Sequence, residues 1–453
     1  MISRSKHLAS VIAVLIVLVA ALSGAVSLRA QSLNQIIVKA VPDDLPAILA
    51  ASGGAVADSV PGYYLLNIPA GTDPATLEAI VGKGVILAGF NSTVNVPRKL
   101  GRATYTTDTT PPPPVGTATD WFGSPARTAY TTQPVIGKVQ LQNALPIATG
   151  RNIRVAIIDT GVDVNHPTLR ASLLPGKNYI GQTSVPSELD DPVVTQSTSD
   201  ILDQSTSDIL DQSTADILDQ STSDILDQST ADILDQSTSD ILDHLPAFGH
   251  GTMMAGLVHL AAPNASIIPL KVFDASGTAT KWNIVKAVYD AVNMGADVIS
   301  MSFSSSSKTK MIESALSFAI SQGVVPIVAT GNDNTDAPTF PASMSGTVAV
   351  SAVDMSDQKA AFSNYGPYVN ISAPGIDLIT TYPGNGRFAR GSGTSEAVAF
   401  TAGIYASAKQ RTILGGATLR QKVEGNTDPL LTVLPQYGNK LGTGRINALK
   451  AVN

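Results

Sequence analysis

Five short apolar runs, spaced by stretches of helical length, divide residues 155–353. They are 155–160 (VAIIDT), 266–273 (SIIPLKVF), 297–303 (DVISMSF), 324–330 (VVPIVAT) and 347–353 (TVAVSAV). Runs this apolar on both faces do not suit a sheet with one wet side. They read as parallel strands covered above and below. Between them lie helical stretches such as 282–294 and 310–322. Strand–helix alternation of this kind predicts an α/β fold over 130–453, a parallel sheet between layers of helices. In such a sheet, reactive groups collect beyond the carboxyl ends of the strands.

One segment breaks the pattern. Residues 196–243 are six tandem copies of QSTSDILD, with Ala at 215 and 231 in place of the second Ser. A helix turns ~100° per residue, so an eight-residue period drifts ~80° per copy and its Ile and Leu spiral around the axis. On a strand the adjacent Ile and Leu would point to opposite faces. The tract is therefore expected to be a solvated loop, with a short helical insertion or a small solenoid as alternatives. It holds twelve Asp and no Lys or Arg. Taking its −12 from the net −7 leaves +5 for the rest, and no basic face argues for nucleic acid. Clustered carboxylates suit calcium, but the spacing is not that of a calcium loop. A structural calcium, and any metal site, stays open.

The absence of cysteine excludes disulfides, thiolate metal sites and a cysteine nucleophile. Arg4 and Lys6 precede an apolar run at 8–22, and small residues follow. Residues 1–30 thus read as an export signal ending near Ala30, with Ala25-Val26-Ser27 as a second cleavage site. The alternative is a membrane anchor, although the run is at the short end of the ~20 residues that span a bilayer. Export without cysteine suits a secreted or periplasmic bacterial protein. Residues 35–97 read as a small α+β unit, with strands at 35–41, 63–68 and 85–90 and helices at 43–51 and 73–80. That order is close to βαββαβ. A Thr/Pro-rich linker is expected at 98–129, with four prolines at 111–114.

A hydroxyl nucleophile needs a neutral His to take its proton, a carboxylate to orient that His, and a donor for the developing oxyanion. Of the five histidines, His7 lies in the signal, His244 closes the repeats, His166 sits in a turn, and His259 follows Leu257-Val258 on a helix. Only His250 stands in a glycine-rich junction ahead of a helical run. Asp159 ends the first apolar strand, where a carboxylate is costly without a partner. Ser395 lies in Gly391-Ser392-Gly393-Thr394-Ser395 before an Ala-rich helix, whose N-terminus favours negative charge. Asn332 follows the fourth strand, and its amide can donate to an oxyanion. Each motif alone also fits an ordinary cap or turn.

Together, the motifs around Asp159 (157–163), His250 (250–256), Ala329-x-Gly331-Asn332 and Gly393-Thr394-Ser395 resemble those of the subtilisin family, the subtilases, in the same order. The resemblance spans roughly 134–453, interrupted by the repeats. It implies a three-layer parallel-sheet fold and a serine endopeptidase with Asp159, His250 and Ser395 as triad and Asn332 as oxyanion donor. It further implies that Ser302, Phe303, Ser304, Ala329, Thr330 and Gly331 border the substrate cleft. No cofactor is required for that chemistry. The substrates would be polypeptides, and the enzyme a monomer. Residues 35–97 would be a ferredoxin-like propeptide acting as intramolecular inhibitor. The chain departs from the family at Ser304, usually Gly, at Met253 and Phe400, usually His, at Ala399, usually Pro, and at Glu396, usually Met. An anion at Glu396 would oppose oxyanion formation, whereas a side chain turned outward would be an ordinary first-turn acid. A silenced subtilase fold serving as a binding or surface module is the alternative function.

Overall fold

The computed structural model describes residues 35–69, 85–95, 119–181, 183–190, 245, 247–384, 386–412 and 415–453. The expected export signal, the helix at 73–80, the prolines at 111–114 and the octapeptide tract lie outside these residues. The chain divides into two compact units, Met1–Thr93 with Thr280–Trp282, and Val94–Ala279 with Asn283–Asn453.

In the first unit, β1 (Gln35–Ala40) leads through a 3₁₀ turn into α1 (Leu45–Ser52). Then come β2 (Ala55–Val60), β3 (Tyr63–Asn67) and β4 (Val85–Phe90). The sheet order is β2-β3-β1-β4, with every adjacent pair antiparallel. This is the strand order of a split βαβ sheet. Alternation along the central β1 sends Ile36 and Val38 to one face, where they pack with Ile48 and Leu66. The sequence reading missed β2. Its AVADSV carries an Asp and a Ser on a mostly exposed edge, and such residues carry little strand signal.

The second unit is built on β5 (Arg154–Asp159), β6 (Lys177–Asn178), β7 (Ser266–Lys271), β8 (Val298–Met301), β9 (Val325–Ala329), β10 (Val348–Val353) and β11 (Ile371–Pro374). They form one sheet in the order β11-β10-β9-β8-β5-β7-β6, parallel throughout. Every residue of β8 to β11 is buried, as expected of strands covered on both faces. Helix α2 (His250–Ala261) packs on α5 (Thr394–Gln410), while α3 (Lys281–Asn293), α4 (Lys310–Ser321) and α6 (Gly416–Glu424) complete the described helices longer than two turns. On α4 only a stripe is buried, Met311, Ile312, Ala315, Leu316 and Ala319. On α2 every residue is buried, and on α5 everything from Thr394 to Ala408, which marks both as central helices.

Beyond β11, a hairpin of β12 (Leu378–Tyr382) and β13 (Arg387–Gly391) runs back to α5. The expected linker also needs correction at its carboxyl end. Thr119–Trp121 pairs with Ser124–Ala126, Ala126 and Tyr130 enter the core, and the Tyr130 hydroxyl donates to Gly256 O at 2.6 Å. Residues 119–129 are folded, because Trp121, Ala126 and Tyr130 supply apolar surface that the Thr/Pro run before them lacks.

The first strand of this unit, β5, lies in mid-sheet, with β7 on one side and β8 on the other. Strand order therefore reverses at β5, and the crevice beyond the ends of β5 and β8 is where an open α/β sheet builds its site.

Candidate active site

Asp159 is the last residue of β5 and is buried. Its main chain is pinned by Val272 N and Phe273 N, which donate to Asp159 O at 2.9 and 3.2 Å. Its Oδ1 accepts from Thr160 N at 2.8 Å and faces His250 Nδ1 at 2.7 Å. His250 opens α2, and its ring is buried rather than lying open at the helix start. A carboxylate only accepts, so Nδ1 carries a hydrogen, and in the neutral ring Nε2 keeps its lone pair. Among the described residues Nε2 has no hydrogen-bond partner. Close approach makes this possible: a Cβ at Gly251 would stand 1.9 Å from Gly161 O.

Ser395 lies in the first turn of α5, beside the end of β8. Its Oγ donates to Ser302 O at 3.2 Å, and Ser302 Oγ donates back to Ser395 O at 3.2 Å. Phe303 packs on Phe273, with ring centroids 5.0 Å apart. Ala329 ends β9, and Thr330 Oγ1 donates to Val350 O at 3.1 Å. Gly331 N donates to Thr394 Oγ1 at 3.2 Å, and Ser304 Oγ lies next to Gly331. Asn332 Oδ1 accepts from Thr394 N at 3.0 Å and from Thr394 Oγ1 at 2.9 Å. Two donors on Oδ1 fix the amide, so Nδ2 is left to donate elsewhere. The expected residues at 159, 250, 302–304, 329–332 and 395 thus meet around the ends of β5, β8 and β9 and the starts of α2 and α5. His166 and His259 lie apart. His166 Nε2 meets Arg387 O at 2.9 Å, and burial drives His259 down to about 4, with His166 adding to it.

A sequence model of the subtilase family (Peptidase_S8) matches residues 150–443. The chain belongs to the subtilase family. It is 28% identical to thermitase of Thermoactinomyces vulgaris over 70% of this chain and 94% of that one. It is 30% identical to the thermophilic serine proteinase of Bacillus sp. strain AK1, over 66% of this chain and 61% of the relative. Among solved structures it is similar in fold to fervidolysin of Fervidobacterium pennivorans, with a TM-score of 0.64 and 18% identity over 92% of this chain and 60% of that one. The protein is a subtilisin-like serine endopeptidase.

Four groups in this subtilase escaped the sequence reading or were left undecided by it. Glu188 is buried, and it takes hydrogen bonds from Thr160 Oγ1, Thr252 Oγ1, Gly251 N at 3.1 Å and Thr252 N at 3.2 Å. It ties the loop after Asp159 to the start of the His250 helix. Burial pushes its carboxyl up to about 7, against the threonine hydroxyls and the nearby Lys271 ammonium. The buried Lys271 Nζ donates to Thr160 O at 2.5 Å. Asn364, fully buried, donates to Thr330 O at 2.9 Å and accepts from Asp333 N and Thr335 N, holding the loop that carries Asn332. Glu396 does not turn outward: it is buried, with no partner for either oxygen among the described residues. Burial raises its carboxyl above the ordinary range, while charged His250 pulls it back. His250 itself is disfavoured as a cation by burial. The Asp159 charge and hydrogen bond, then Glu396 and Glu188, outweigh that and raise it to about 9.

Proposed function

We propose that this subtilase cleaves internal peptide bonds through Asp159, His250 and Ser395. The observation that carries this reading is the 2.7 Å contact of His250 Nδ1 with Asp159, which leaves the buried Nε2 without a hydrogen-bond partner among the described residues, as the nitrogen that takes the proton when the ring is neutral. Ser395 Oγ attacks the scissile carbonyl and its proton passes to Nε2. Asp159 stabilises the imidazolium that forms. The oxyanion takes hydrogen bonds from Asn332 Nδ2 and from Ser395 N–H, which in the first helical turn has no intrahelical acceptor. The tetrahedral intermediate collapses to an acyl-enzyme, and the leaving amine takes the proton from His250. Water repeats the sequence and frees the acid.

An extended substrate pairs with the segments 302–304 and 329–331 on either side of Ser395. The Ser304 side chain stands where the family usually has none, and narrows that edge. Export behind the signal at 1–30, action as a monomer, and inhibition by residues 35–97 until the chain is cut between Pro97 and Asp120 belong to the same reading. A module of about sixty residues has a marginal core, but tethering gives it a high effective concentration at the cleft. One observation favours the silenced alternative: Ser395 Oγ donates to Ser302 O, not to His250. Catalytic hydrogen bonds in unliganded sites are often long and tighten only with substrate.

Asn332 gives a graded test. Asn332→Ala should lower kcat on an unfolded polypeptide by about 10²–10³, the usual loss for one oxyanion donor, with KM nearly unchanged. A change confined to KM would remove Asn332 from the oxyanion site.

A further inference from the structure

Glu188 takes no part in these steps, yet its carboxyl is buried between the two elements that carry Asp159 and His250. Its Oε1 takes hydrogen bonds from Thr160 Oγ1 and from Gly251 N at 3.1 Å. Its Oε2 takes them from Thr252 Oγ1 and from Thr252 N at 3.2 Å. Each hydroxyl already accepts elsewhere. Thr160 Oγ1 does so from Gly251 N at 2.9 Å, and Thr252 Oγ1 from Asp163 N at 2.8 Å. Both hydroxyls thus give their hydrogens to Glu188, and both of its oxygens only receive. This is the pattern of a carboxylate, not of a neutral acid. Burial raises the group to about 7, so it is ionised above neutral pH. Lys271, whose Nζ donates to Thr160 O, brings the opposite charge close by.

The hydrogen bonds reach both catalytic groups. On one side, Thr160 is held at its hydroxyl by Glu188 and at its carbonyl by Lys271. Its N–H is thereby aimed at Asp159 Oδ1, 2.8 Å away, the same oxygen that faces His250 Nδ1. On the other side, Gly251 and Thr252 are the second and third residues of α2. N–H groups at a helix start have no intrahelical acceptor. A carboxylate there also meets the positive end of the helix dipole. Glu188 therefore fixes the turn from which the His250 side chain leaves. The segment that carries Glu188 is anchored as well, because Val162 N donates to Pro186 O at 2.9 Å. It leaves little slack: a Cβ built on Gly161 would stand 2.6 Å from Pro186 O.

We infer that Glu188 is a positioning residue of this active site: its carboxylate clamps the loop after Asp159 to the start of the His250 helix, and so sets the Asp159–His250 hydrogen bond. The inference rests on the proposed triad. An amide cannot replace the carboxylate. Each oxygen faces one N–H, which can only donate, so the NH₂ of a Gln would oppose an N–H whichever way it turned. Thr252 allows a smaller change. Val in its place removes one donor to Glu188 and the acceptor of Asp163 N, but no hydrogen bond of Asp159 or His250. Ser in its place keeps the hydroxyl.

The test is kcat and KM, above neutral pH, for the wild type, Glu188→Gln, Thr252→Val and Thr252→Ser. Glu188→Gln and Thr252→Val should lower kcat by about tenfold to a hundredfold, the cost of slightly misplaced reacting groups, with KM nearly unchanged. Thr252→Ser, which restores the hydroxyl, should rescue kcat. If Glu188→Gln does not fold, the Thr252 pair decides. A second readout needs no hydrolysis. In Ser395→Ala protein, the proton magnetic resonance signal of the hydrogen on His250 Nδ1 should lie far downfield, as in a short bond to a carboxylate. It should move upfield or broaden when Glu188→Gln or Thr252→Val is added, and stay in place with Thr252→Ser. A merely structural role would lower the melting temperature and leave kcat and this signal where they were. A signal that is absent from Ser395→Ala protein, or unmoved in the folded variants, overturns the inference. So does a loss confined to KM. If the wild type cleaves no peptide, the proposed function fails, while the signal still decides the role of Glu188.

Discussion

Ser395→Ala is expected to lower kcat for peptide hydrolysis by about 10⁶, with its melting temperature close to that of the wild type. The fold should survive because the Oγ makes one 3.2 Å hydrogen bond, to Ser302 O, and the net worth of such a bond is about 1 kcal/mol. The residual rate would come from Asn332, the Ser395 N–H and substrate binding. Adding His250→Ala should cost little more, because without a nucleophile there is no proton for the base to take. The same variant, made in a host lacking other proteases, should keep residues 35–97 attached, whereas the wild type should begin between Pro97 and Asp120. N-terminal sequencing reads this directly. Turnover retained at the wild-type level would exclude Ser395 as nucleophile, and maturation at the same bond and rate would assign the cut to another protease.

Asp159→Asn should lower kcat by about 10⁴ and, at the same time, move the acid limb of the pH profile down. The geometry separates charge from orientation here. Thr160 N and His250 Nδ1 both point at Oδ1, at 2.8 and 2.7 Å. Two N–H donors at one position hold the oxygen of an Asn there and keep its NH₂ away, so the imidazole retains its tautomer. What is lost is the negative charge. Asp159 is the strongest of the groups raising His250 to about 9. Without it the imidazole stays neutral to lower pH, which moves the limb down, but the imidazolium formed in each attack loses its stabilisation. A variant with the wild-type kcat, or with its limb shifted up, would contradict Asp159 as the partner of His250.

The parallel strands were legible because a strand buried on both faces needs nearly every residue apolar, and runs such as VAIID and VPIVA meet that demand without help from distant contacts. Among the elements that escaped were β2, β6, β11 and the β12–β13 hairpin. Two-residue β6 and four-residue β11 are too short to show a period, and LITTY and RFARG become a hairpin only by packing beside α2, to which Thr380 and Thr381 donate. Asp159, His250, Asn332 and Ser395 were legible because each sits where an element begins or ends, inside a local motif. Glu188 has no motif. Its role arises where the loops at 160, 188 and 251–252 meet, and the one sequence signal was rarity, since the chain has five Glu among 453 residues. Glu396 could not be assigned from sequence because its two readings depend on whether α5 has a wet side. Its first four turns are buried all round, so there is none.

The triad is tested most directly by a fluorophosphonate, which phosphonylates a hydroxyl, with loss of fluoride, only where a base has activated it. One equivalent should bind per chain, stop peptide hydrolysis, and be found by mass spectrometry on Ser395 alone, with no labelling of His250→Ala. An active protein that takes up no label, or that carries it on another residue while Ser395 stays free, would contradict the assignment.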